Sequence, residues 1–160
     1  MFSQTTEYAL RAMSCLALAP EELVPTTTLA EMTHVPPNYL AKVLQQLAAA
    51  KLITGRRGVG GGYRLARPSD QINLLDVIQS VGRLERIKSC PLGLSNHGTN
   101  LCPLHRQLDA AAGAMIKMFD GVTLKQVIDT PGAVNKPLCD TGRTQEVSAA
   151  GAIKVRPHRP

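Results

Sequence analysis

Between Leu52 and Leu65 the chain places five glycines, Gly55, Gly58, Gly60, Gly61 and Gly62, beside Arg56, Arg57 and Arg64. A stretch so poor in side chains cannot build a core, and it lies between two short apolar pieces, Leu52-Ile53-Thr54 and Tyr63-Arg64-Leu65. That pattern predicts a β-hairpin with an extended tip. A phosphate-binding loop would need Lys-Ser or Lys-Thr after its last glycine, and none follows here. The dinucleotide motif G-x-G-x-x-G also fails, because Tyr63 stands where its last glycine belongs. Taken alone, the segment also fits a bland flexible hairpin. From Lys51 to Arg67 there are five basic residues and no acid, so the hairpin carries a positive field of its own.

The residues before the hairpin give it a context. Ala9, Leu10, Met13, Leu16 and Ala17 recur at helical spacing and predict a first helix over about residues 4–18. Thr28-x-x-Glu31 reads as a capping box for a short second helix, Thr28 to Met32. Thr33-His34-Val35 makes a break, and Pro36-Pro37 opens a third helix with Leu40, Val43, Leu44 and Leu47 on its apolar face, ending near Lys51. Two helices joined by so short a break suggest a helix-turn-helix, and a hairpin after it gives the winged-helix arrangement.

Farther on, Asn73 caps a fourth helix carrying Leu74, Val77, Ile78 and Val81. A last long helix, Pro103 to Phe119, spaces Leu104, Leu108, Ala111, Met115 and Met118 by four, three, four and three. This is a seam of about two heptads, which predicts dimerisation or packing on its own domain. Gly121 stops that helix, and Thr123-x-x-Gln126 caps a short final one. The expected fold is mainly α with a small β-hairpin: a winged helix-turn-helix plus a long dimerisation helix. Residues 1–82 form the DNA-binding domain, 83–102 a sensor loop, 103–129 the dimerisation helix with the short C-terminal helix, and 130–160 a disordered basic tail rich in Pro and Gly.

Composition narrows the function. With two Phe, three Tyr and no Trp in 160 residues, the core must be aliphatic, and a formal charge of +6 favours a polyanionic partner. No apolar stretch is long enough to span a membrane. Met1 to Pro20 imitates a secretion signal at Ala17-Leu18-Ala19, but Glu7 and Arg11 interrupt it, so a cytoplasmic protein with reduced cysteines is expected.

A third helix docked N-terminus first in the major groove would bring Asn38, Tyr39 and Lys42 to base edges and phosphates. Asn38 suits adenine or phosphate, and Tyr39 suits either the DNA or the protein interior. Thr28 on the second helix and Arg56, Arg57, Gly60, Gly61 and Arg64 on the hairpin complete the candidate DNA-binding set. The arginines suit phosphates or a narrow minor groove.

Glu7-Tyr8-Ala9-Leu10-Arg11-Ala12, Pro37-Asn38-Tyr39-Leu40, Leu44-Gln45-Gln46-Leu47 and Arg57-Gly58-Val59-Gly60-Gly61-Gly62-Tyr63 together resemble the Rrf-two family of bacterial regulators, whose members include IscR, NsrR, RirA and CymR. The resemblance covers about residues 1–129 and leaves the tail outside. It implies a homodimeric winged-helix DNA-binding protein with a long dimerisation helix and, in many members, an iron–sulfur cluster. Arg57 matches the family's wing arginine.

Cys90-Pro91-Leu92 and Cys102-Pro103-Leu104 are a repeated tripeptide. Pro103 at a helix start puts Cys102 at the N-cap, where the helix dipole favours thiolate, with His105 on the same side of the first turn. Cys90 can return from the loop to join them, and His97 is within reach. Cluster-binding members of the family carry three cysteines in this loop. Cys90 and Cys102 match the outer two, His105 matches a histidine ligand known in IscR, and the middle position is Asn96. Two cysteines with nitrogen or carboxylate ligands suit a 2Fe–2S centre better than a four-iron cluster. Zinc, or no metal at all, remains open on the same residues. The resemblance also implies a carboxylate ligand from the partner's first helix, a position that Glu7 matches, although Glu7 also simply suits the positive end of its own helix. Cys15 belongs to the first helix's apolar face, and Cys139 lies in the tail.

The functional expectation is a homodimeric regulator, a repressor, that binds a pseudo-palindromic DNA operator and senses iron–sulfur, redox or nitric oxide status. Cys102 and His105 superficially form a nucleophile–base pair, but no orienting acid is evident from the sequence, so no enzyme is expected. A protein-interaction module with a vestigial winged helix is the contrasting class.

Overall fold

The computed structural model describes residues 2–92 and 100–130. In chain order these form α1 (Gln4–Leu18), α2 (Thr26–Thr33), α3 (Pro37–Ala49), β1 (Ile53–Arg56), β2 (Gly62–Leu65), a 3₁₀ turn at Ser69–Gln71, α4 (Leu74–Val81), α5 (Pro103–Asp120) and α6 (Leu124–Ile128). The tail and loop residues 93–99, with Asn96, His97 and Cys139, lie outside the described residues.

Local chemistry explains most boundaries. Ser3 caps α1 by accepting from the Thr6 amide at 3.2 Å, and Asn73 caps α4 by accepting from the Asp76 amide at 2.7 Å. Pro37 occupies the first position of α3, and the Pro36 carbonyl accepts from Tyr39 and Leu40. His34 ends α2 with φ 53°, the left-handed turn that lets α3 depart at a new angle. Thr123 and Gln126 form a reciprocal capping box on α6.

The second helix corrects the sequence reading. It begins at Thr26 rather than Thr28, its N-cap is Pro25, and no side chain caps it. The reason is tertiary. Val24 pairs with Tyr63 through two amide–carbonyl bonds of 2.9 Å, which fixes the chain just ahead of Pro25, whose carbonyl then takes the Leu29 amide. Thr28 is thus an exposed first-turn residue of α2.

β1 and β2 pair antiparallel with Ile53 opposite Leu65 and Arg56 opposite Gly62, so the strands reach farther into the glycine stretch than expected. Gly58 and Gly60 have φ of 93° and 70°, a backbone that L-residues rarely adopt. Gly61 and Gly62 serve close approach instead: a Cβ would sit 2.2 Å from the Arg56 carbonyl oxygen and 2.5 Å from the Val24 backbone, respectively.

The core is aliphatic. Met13, Leu16, Leu29, Leu40, Leu44, Leu47, Ile53, Ile72 and Val77 are fully or almost fully buried. Leu124 of α6 belongs to the same cluster, drawn in by bonds of 2.9 Å from the Leu124 amide to the Ile72 carbonyl and from the Leu74 amide to the Val122 carbonyl. The final helix therefore completes the winged-helix core. Cys15 is fully buried, as its helical position predicted.

Candidate functional site

Two clusters of candidate residues are separated along the molecule. The first is the outer face of α3 with the hairpin. Asn38, Tyr39, Lys42, Gln45 and Gln46 are exposed, while the opposite face of α3 is buried as Leu40, Val43, Leu44 and Leu47. Tyr39 packs within the protein and yet keeps part of its surface exposed. Its hydroxyl and the Thr5 hydroxyl are 2.6 Å apart, and its ring meets that of Tyr8 edge-on at 5.4 Å. It is still 39% exposed, so it holds α1 against the start of α3 while keeping a surface outward. On the hairpin, Arg56 donates to the Gly60 carbonyl at 3.2 Å and stiffens the tip. Arg57 and Arg64 stand exposed beside it, and Val59 at the tip is wholly exposed.

The second cluster joins Cys90, Cys102 and His105. Cys102 is the N-cap residue of α5, with Pro103 next, as the sequence predicted. His105 Nδ1 lies 3.1 Å from Cys102 Sγ and 3.6 Å from Cys90 Sγ. All three donor atoms fall within 4.8 Å of one another, with Cys90 buried and the other two partly exposed. Donors of this softness at this separation fit a metal site.

Glu7 is not in that group. It is exposed on α1 and forms an ion pair with Arg11, one turn later. Arg11 also donates to the Thr33 carbonyl at 3.3 Å and lies over the Tyr8 ring. An acid does stand one turn beyond His105, but Asp109 spends its oxygens on Arg86 and on the Ile87 amide. The arginine beside it holds its carboxyl below the usual carboxylate range. This pair escaped the sequence reading because its members are 23 residues apart and neither belongs to a motif.

The apolar seam of α5 is outward-facing. No residue of α5 is buried, and Leu104, Leu108, Met115 and Met118 are 63%, 50%, 37% and 54% exposed. Among the described residues no helix is long and apolar enough to cross a membrane.

Comparison with known proteins agrees with this architecture. The family described as Rrf2, Iron-dependent Transcriptional regulator, matches residues 2–130. A relative from Mycobacterium tuberculosis, named as an HTH-type transcriptional regulator, is 35% identical over 160 aligned positions covering 95% of this chain and 96% of its own. That alignment runs past residue 130, so similarity to this relative continues into the tail that the sequence resemblance left out. An HTH-type regulator of Aquifex aeolicus is 30% identical over 81% of this chain and 92% of its own. Among solved structures, CymR, the global cysteine regulator of B. subtilis, superposes with TM-score 0.66 at 25% identity, over 79% of this chain and 95% of that one. IscR of T. potens shares the fold with TM-score 0.66 at 22% identity, over 80% and 85%. The chain belongs to the Rrf2 family of winged-helix transcriptional regulators.

Proposed function

We propose that the protein is a homodimeric repressor that reads a pseudo-palindromic operator with α3 and the wing, and that a metal centre on Cys90, Cys102 and His105 controls its DNA affinity. The observation that carries the sensing half is the convergence of those donors from the segment after α4 and the first turn of α5. An iron–sulfur cluster, 2Fe–2S before any other, is the first assignment, since two thiolates and an imidazole leave one position for a further oxygen or nitrogen ligand. Glu7 of a second copy or His97 would supply it. When bound, such a cluster provides a redox-active centre open to oxidants and nitric oxide. Cys90 and Cys102 would hold it from the segment after α4 and from the α5 N-terminus, and His105 would orient it from the first turn.

Zinc is the second reading. Three donors grouped this tightly suit the tetrahedral shell of a single ion.

The dimer assignment is supported by the exposed apolar seam of α5, which a second copy of the same seam would cover. The DNA assignment is supported by the exposed polar face of α3 and the acid-free basic wing.

Anaerobic purification with an absorption spectrum and iron, sulfide and zinc analysis tests the centre. Stoichiometric iron and sulfide that vanish in Cys90→Ala, Cys102→Ala and His105→Ala are expected. Full, spectrally unchanged occupancy in Cys102→Ala would defeat the assignment. The DNA half is checked by operator binding that weakens steeply with salt.

A further inference from the structure

The segment that leads from α4 to Cys90 has no regular secondary structure, yet it is fastened to α5. Arg86 grips Asp109 with both arms of its guanidinium, Nε to Oδ1 at 2.6 Å and Nη2 to Oδ2 at 2.5 Å. The Ile87 amide adds a third bond to the same carboxylate at 2.9 Å. A carboxylate that accepts a planar fork and a backbone N–H has its orientation fixed on several sides. Asp109 is accordingly only 14% exposed. Gly113, one turn farther along α5, provides the seat. A Cβ there would lie 3.1 Å from Arg86 Cζ and Nη1, so the guanidinium rests on backbone that any side chain would crowd.

The spacing connects this clamp to the thiols. Arg86 is four residues before Cys90, and Asp109 is four residues after His105. The segment runs antiparallel to α5, so the contact of residues 86 and 87 with Asp109 and the contact of Cys90 with His105 are successive rungs between the same two pieces of chain. Pre-placing a ligand removes an ordering cost that binding would otherwise bear.

We propose that the Arg86–Asp109 clamp, seated on Gly113, is the positioning device of the thiol–imidazole centre, holding Cys90 against Cys102 and His105 before any metal arrives. As a metal-site device it rests on the metal reading above, whereas the placement of Cys90 does not.

The test uses the full-length chain, metal-free and anaerobic, as wild type, Asp109→Asn, Arg86→Ala, Arg86→Lys and the Arg86→Ala/Asp109→Asn double variant. Two quantities are read: the alkylation rate at Cys90, followed by mass spectrometry, and the affinity for cobalt(II). Asp109→Asn and Arg86→Ala should each speed alkylation of Cys90 several-fold and weaken cobalt binding by about 10–100-fold, the usual cost of losing an outer-shell partner. The double variant should be no worse than either single one, because both remove the same contact. Arg86→Lys keeps the charge but loses the fork, and should fall between. Wild-type alkylation and cobalt affinity in a folded Asp109→Asn protein would overturn the proposal. If the wild type takes up no cobalt, the metal reading fails by itself, and the alkylation rates still decide the clamp. If Asp109→Asn loses its helical circular dichroism, Arg86→Lys carries the decision.

Discussion

Gly60 and Gly61 show how a run of one residue type can hold different jobs at neighbouring positions. Gly58 and Gly60 are needed for positive φ, whereas Gly62 is needed because Val24 passes 2.5 Å from where its Cβ would be. Gly62→Ala should therefore separate Val24 from Tyr63 and destabilise the fold by about 1–3 kcal/mol, as overpacking does. An unchanged melting temperature would count against the close approach. Asp109 offers a second check at this scale. With Arg86 beside it, its carboxyl ionises below the usual range, so the unfolded chain takes up that proton at a higher pH than the native one. The pair's contribution is complete above the ordinary carboxylate range and declines as pH falls through the depressed native value. An NMR titration of Asp109 in the folded protein should place its midpoint below that of a free aspartate, and a normal midpoint would contradict the clamp. Such pairs are invisible in the sequence. Cys102 and His105 could be joined on paper because three residues on a helix make a shared face, and Cys90 because it repeats the tripeptide, but nothing local points from Arg86 to Asp109.

Among the elements, α1, α3, α4, α5 and α6 were legible because each carries its own cap, proline or apolar period. The second helix was misread at its start because a strand contact outranks a capping motif. The segment at Val24, which adds a third backbone partner to the hairpin, had no period to reveal it. The long α5 is a helix where its apolar period predicts one, and the exposure of its apolar stripe has a consequence. Leu108, in the middle of the stripe, is half exposed in the single chain, so Leu108→Glu should leave the protomer folded but place a charge in the centre of the proposed dimer contact. Sedimentation is expected to shift toward monomer, with operator affinity falling as two-site binding is lost. A dimer of wild-type stability in that variant would move the interface elsewhere.

For the whole molecule, the charge pattern bears on the proposed mode of DNA binding. Arg67 at the base of the wing pairs with Asp76 at 2.7 Å, whereas Arg56, Arg57 and Arg64 meet no acid among the described residues, and all three are exposed. Arg57→Ala should weaken operator binding and lower the slope of log affinity against log salt by about one per protomer if it meets a phosphate. Unchanged affinity and slope at moderate salt would remove the wing from the interface. The winged-helix class was legible as a whole because helix, break, helix and glycine hairpin succeed one another in order; the place of α6 was not, since five residues after a long exposed helix announce no destination. That destination reshapes what counts as a module here. The chain leaves the core at Gly82 and re-enters it at Val122 and Leu124, so the thiol-bearing excursion is spliced into the DNA-binding unit at two points rather than attached to its end. A chimera that exchanges this excursion between relatives must cut the gene twice, and a chain ended before α6 discards part of the hydrophobic interior of the DNA-reading half itself.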